Sequence, residues 1–185
     1  MDLIVWELIR AAGLIAFGLL TLSMFMGVAV NARALDGVMK RAWANEVHQT
    51  AAGLGAVFMV LHVGLVLLDQ YVPFSVVATF VPLASGWRPL PVAAGIVSLY
   101  LATTLLVSTY LRPAIGHRTW RLIHYGGFVA WAAALLHGIT AGSDAGVAWM
   151  QYSYLLAGGA VALLTIFRVL APSPVRERLP ESRRP

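Results

Sequence analysis

The sequence predicts an all-α fold, a polytopic bundle of five membrane-spanning helices, and three observations lead there. Of 185 residues, 59% are hydrophobic and only 11% are charged, less than half the roughly 25% charge of a soluble domain. The mean hydropathy is +0.78. Apolar runs of about 20 residues recur, each long enough at 1.5 Å per residue to cross a hydrocarbon core of ~30 Å. This composition excludes disorder and a nucleic-acid-binding module, so no nucleic acid is expected as a partner. The chain has no cysteine, which removes thiolate catalysis, Cys-ligated zinc, iron–sulfur clusters and a disulfide framework.

The first span is expected over about 11–30. Asp2 and Glu7 stand where a signal peptide would carry a basic start, and the apolar run is too long for a typical leader. The second span is expected over about 48–68. The connection after it, roughly 69–90, is broken by Pro73, Pro82 and Pro89 but carries Val76, Val77, Phe80 and Val81. It is too short and too interrupted to span, and reads as an amphipathic helix or cap at the outer interface, or as an ordinary loop. Spans three, four and five are expected over about 92–110, 120–139 and 147–168, which makes 1–170 one membrane domain. The stretch 171–185, rich in Pro, Arg and Glu, is expected to be a short disordered cytoplasmic tail.

Charge sets the expected orientation. Arg33, Lys40 and Arg41 follow the first span, Arg112, Arg118 and Arg121 surround the third connection, and Arg168, Arg176, Arg178, Arg183 and Arg184 close the chain. If the five helices alternate in direction, these 11 of the 13 Lys and Arg residues fall on one side. The positive-inside rule then puts the N-terminus outside and the C-terminus in the cytoplasm, as in a multi-pass protein of the cell membrane.

Four of the five histidines fall inside spans: His48 and His62 on the second, His124 and His137 on the fourth. Ionisable groups at membrane depth are costly and usually functional. The two helices run in the same direction, so His48 and His124 share an inner level and His62 and His137 an outer one, ~20 Å apart along the helices. Fourteen residues at 100° each bring His62 within ~40° of the face of His48. Thirteen residues leave His124 and His137 ~140° apart, and Gly126-Gly127 is the expected place for a compensating kink. One histidine from each of two helices at two levels suits bis-imidazole ligation of two haems. Zinc or copper would need three or four converging ligands, and a proton relay would need carboxylates in the spans. The plain alternative is that these histidines hydrogen-bond across helices. His117 is expected to be a solvated loop residue.

At these residues the chain resembles the ferric-reductase-like transmembrane domain family, whose mark is two His pairs spaced 14 and 13 on two helices. The family includes the membrane parts of ferric reductases and NADPH oxidases, and the haem subunit of a methionine-sulfoxide reductase system. Further similar stretches are Arg10-Ala-Ala-Gly13, Leu20-Thr-Leu-Ser23, Leu61-His62 through Leu68-Asp69, and Ser85-Gly-Trp-Arg-Pro89. Gly116-His-Arg-Thr-Trp-Arg-Leu-Ile-His124 and His137-Gly-Ile-Thr-Ala-Gly-Ser-Asp144 complete them. Many relatives have a sixth span, and the larger ones continue into a flavin- and nicotinamide-binding domain. Neither is expected here.

The resemblance implies two haem b groups, held by His48 and His124 on the inner side and His62 and His137 on the outer. It implies an electron path from a separate cytoplasmic flavoprotein or membrane quinol to an extracytoplasmic acceptor such as ferric iron. An outward electron moves downhill in an inside-negative membrane, by ~2.3 kcal/mol per 100 mV. Haem propionates need cationic partners, and Arg10 outside and Arg121 inside are the candidates. Trp120, Tyr125, Trp131 and Trp149 are candidates for haem edges or, more plainly, for packing and interface roles. Arg88 is a candidate for attracting an anionic ferric chelate. The competing expectation is a haem-bearing relay or anchor subunit without a substrate site, and a haem-free transporter stands behind both.

Overall fold

The computed structural model describes residues 2–70 and 72–170, and these fold into helices without any strand. In order they are α1 (Asp2–Ala32), α2 (Arg41–Leu68), α3 (Val76–Phe80), α4 (Pro89–Tyr110), α5 (Arg112–Ala141) and α6 (Ala148–Leu170). All but α3 are long and apolar enough to cross a membrane, which gives the five expected spans. The tail expected over 171–185 lies outside the described residues.

Several helices overrun the apolar windows. α1 begins at Asp2 rather than near 11, α2 at Arg41 rather than near 48, and α5 at Arg112 rather than near 120. Hydropathy marks the part of a helix that needs hydrocarbon, whereas backbone hydrogen bonding continues into the interface, where polar side chains are hydrated. The expected loop between the third and fourth spans is therefore mostly helix. α4 ends at Tyr110 with Leu111 as its cap, α5 opens with one turn over 112–115, and Gly116 breaks the direction with φ 79 and ψ 158. His117 consequently sits on α5, exposed, and not in a loop. Gly116 also corrects the expected kink at Gly126-Gly127. α5 departs from helical dihedrals at Gly116 alone, upstream of both its ligand candidates, so the 13-residue spacing is met without unwinding between them.

The helices pack as two antiparallel hairpins, α1 with α2 and α4 with α5, and α1 also packs on α6 and touches α5. α1 is the most enclosed, burying Ile9, Ala12, Ala16, Ser23, Met26 and Ala29; its small residues allow close approach of neighbouring backbones. Leu54, Val57 and Val60 on α2, and Leu155, Leu156 and Leu163 on α6, point outward, as lipid-facing side chains do. α2 and α5 stay apart: no Cα of one comes within 8 Å of a Cα of the other.

The segment between α2 and α4 forms the expected cap. Ser75 caps α3 by accepting from Ala78 N at 3.1 Å, Phe74 meets Trp87 edge-on at 6.3 Å, and the Tyr100 hydroxyl donates to the Phe80 carbonyl.

Candidate cofactor site

The space between α2 and α5 is bridged by imidazole rings at two levels. His48 and His124 have ring centroids 6.0 Å apart with planes at 75°. His62 and His137 repeat the arrangement at 6.3 Å and 76°. All four candidate ligands thus meet in the predicted pairs.

Three of the rings are seated in the same way. His62 Nδ1 lies 2.9 Å from the Ile9 carbonyl, His48 Nδ1 lies 2.8 Å from the Ser23 carbonyl, and His137 Nδ1 lies 2.9 Å from the Pro91 carbonyl. A carbonyl only accepts, so the neutral ring carries its proton on Nδ1 and leaves the Nε2 lone pair free. Four residues beyond each accepting carbonyl stands a glycine, at Gly13, Gly27 and Gly95. A Cβ there would come within 2.9 Å of His62 Nδ1, 3.2 Å of His48 Nδ1 and 2.8 Å of His137 Nδ1. The missing side chain is what lets each ring reach the backbone. The spacing also matches across the first hairpin: 14 residues separate both the glycines of α1 and the histidines of α2.

The fourth ring differs. Among the described residues His124 Nδ1 is buried without a hydrogen-bond partner, and its ring stacks on Trp120 at 4.7 Å and 26°. Trp120 in turn stacks on His117 at 5.4 Å and carries the Arg112 guanidinium at 4.6 Å from its ring centroid.

Around the outer pair is a cavity of ≈ 250 Å³. Gly13, Gly95, His62 and His137 form its walls, and Val72, Phe74, Thr79 and Trp87 roof it. Arg10 and Asp144 line it as well, joined at 2.9 Å and 2.5 Å through Nε and Nη2, and Arg10 also reaches Glu7 at 2.9 Å. Between the levels, Trp131 donates from Nε1 to Thr21 Oγ1 at 3.0 Å and stacks on Phe17.

These residues fit a planar metal macrocycle. Two imidazoles on opposite sides of one metal ion, each bonded through Nε2 at about 2 Å, put their centroids about 6 Å apart. Second-shell bonds from the other ring nitrogen to a carbonyl are the usual support of a ligating histidine. Among the described residues no three His, Asp or Glu side chains converge on one point, so the donor set suits two axial ligands and not a three- or four-ligand centre.

The chain matches no protein-family model, no curated protein and no solved structure.

The remaining candidates are placed as follows. Arg10 lines the outer cavity, but Asp144 already balances its charge. Arg121 is exposed on α5 and is not among the residues lining that cavity. Arg88 is tied down, donating to the Thr140 carbonyl at 2.7 Å and lying over Trp87. Tyr125 and Trp149 are exposed, in keeping with interface roles. Asp144 and the seating glycines are the residues that sequence reasoning missed.

Proposed function

We propose that this chain is a di-haem membrane protein that moves electrons across the cell membrane. The inner haem b is held by His48 and His124 and the outer by His62 and His137. Bound there, the two haems supply reversible one-electron chemistry. The chain's own residues do the rest. Ile9, Ser23 and Pro91 fix three rings with Nε2 presented, the apolar walls exclude water, and Trp131, tied to Thr21, fills the space between levels. Arg121, exposed on α5, offers a cation to a propionate on the inner side, whereas Arg10 at the outer mouth is already held by Asp144 and Glu7. The donor is a separate cytoplasmic flavoprotein or a membrane quinol, and the acceptor is extracytoplasmic, with ferric iron as the leading substrate.

The observation that carries this reading is the repeated pair of imidazoles 6.0 and 6.3 Å apart across helices whose Cα atoms stay more than 8 Å apart. A second reading, a relay subunit that hands electrons to a partner protein, is favoured by the apolar roof of Val72, Phe74 and Trp87 over the outer level.

A dithionite-reduced minus oxidised spectrum of the purified protein, with haem counted per chain, is the test. Two haems b are expected, falling to about one in His62→Ala. A chain that takes up no haem overturns the proposal. Reduction of ferric citrate by the pre-reduced protein alone separates the reductase from the relay.

A further inference from the structure

The four histidine positions follow one rule with one exception. Seating a ring requires a carbonyl on the neighbouring helix and, four residues later, a glycine. Gly13, Gly27 and Gly95 satisfy it for His62, His48 and His137. Along the antiparallel α4–α5 pair, Gly95 lies opposite His137, Ser98 donates to the Ala130 carbonyl at 2.9 Å, and Trp120 reaches Thr109 at 3.4 Å. Continuing that register 13 residues from both Gly95 and His137 sets residue 108 at the level of His124. Residue 108 is a serine. It is buried, and its hydroxyl donates to the Leu105 carbonyl at 2.9 Å. It stands where the register calls for the glycine that seats a ring, and among the described residues His124 Nδ1 is buried with no hydrogen-bond partner.

A second-shell hydrogen bond both orients a ligating imidazole and raises its basicity. Stacking on Trp120 restores orientation but not basicity. We propose that His124 is the one exchangeable ligand of the four, that Ser108 makes it so, and that the inner level therefore opens to a neutral diatomic ligand. In that exchange the Nε2 of His124 leaves and the incoming molecule takes its position, with no electron or proton transferred. This inference rests on the di-haem reading.

Carbon monoxide added to the dithionite-reduced protein is the probe, with haem per chain measured in the same sample. About half of the haem is expected to shift its spectrum. In His62→Ala/His137→Ala, which removes both outer ligands, the single remaining haem should react fully. Ser108→Gly opens the missing seat and should weaken carbon monoxide binding about 10-fold or more, the usual size of a second-shell effect. Ser108→Ala, which keeps the Cβ, should bind it as the unaltered protein does. Two haems per chain with no carbon monoxide shift, or a shift that Ser108→Gly leaves unchanged, overturns this inference while sparing the di-haem reading. Absence of haem overturns both.

Discussion

At the scale of single residues, the site depends as much on atoms that are missing as on those that are present. Each seated imidazole reaches its carbonyl across a glycine, so adding one methyl group should act on a ligand from the neighbouring helix. Gly95→Ala puts a Cβ 2.8 Å from His137 Nδ1 and 2.9 Å from Cε1, closer than two such atoms can sit. The ring must move and its carbonyl bond is lost, which lowers affinity at that level about 10–100-fold. Haem analysis should find the outer haem depleted and the inner one kept. Gly27→Ala, with 3.2 Å to His48, should be milder. The histidines were legible in the sequence because ionisable residues are rare at membrane depth and stand out. The glycines were not, since the chain has 17 of them and small residues serve helix packing throughout membrane bundles. The signal was nevertheless there: the 14-residue interval of His48 and His62 recurs in Gly13 and Gly27 on the adjacent span. Asp144 was hidden for another reason. It lies far from Arg10 in sequence, and no local pattern announces an ion pair between the first span and a late loop.

At the scale of helices, hydropathy located every span but misjudged where three of the helices begin, because length in hydrocarbon and length in hydrogen bonds are different quantities. Gly116 is the plainest case. Its φ of 79 with ψ of 158 is a backbone state that only glycine adopts without strain. No atom lies within 4 Å of a Cβ built there, so Gly116→Ala has no steric clash to confuse the reading and should cost about 1–3 kcal/mol through the backbone alone. Unfolding in detergent should show the loss, and the inner haem should suffer before the outer one because the break lies two turns before His124. An unchanged stability would mean that the break at Gly116 is not needed by the fold. The cap between α2 and α4 was half-legible: its prolines and valines excluded a span, but only the structure shows Phe74 and Trp87 closing over the outer cavity.

At the scale of the molecule, basic residues from two helices meet the end of a third at one end of the described bundle. Arg168 donates to Asn31 at 3.2 Å and Arg41 to the Val30 carbonyl at 3.3 Å, which brings the end of α1, the start of α2 and the end of α6 to one face. Arg10 and Arg88 stand at the other. The lack of cysteine makes the orientation easy to test, because any thiol introduced will be unique. Val38 and Val76 are exposed at opposite ends of the bundle. A membrane-impermeant maleimide added to intact cells should label Val76→Cys and spare Val38→Cys; the reverse pattern would invert the charge argument. The division of each histidine pair between two hairpins also governs biogenesis. Synthesis delivers the N-terminal hairpin first, with His48 and His62 already seated on α1. Both levels then wait half-built until α5 leaves the ribosome, so on the proposed di-haem reading a nascent or truncated chain would offer one ligand for each haem and keep neither.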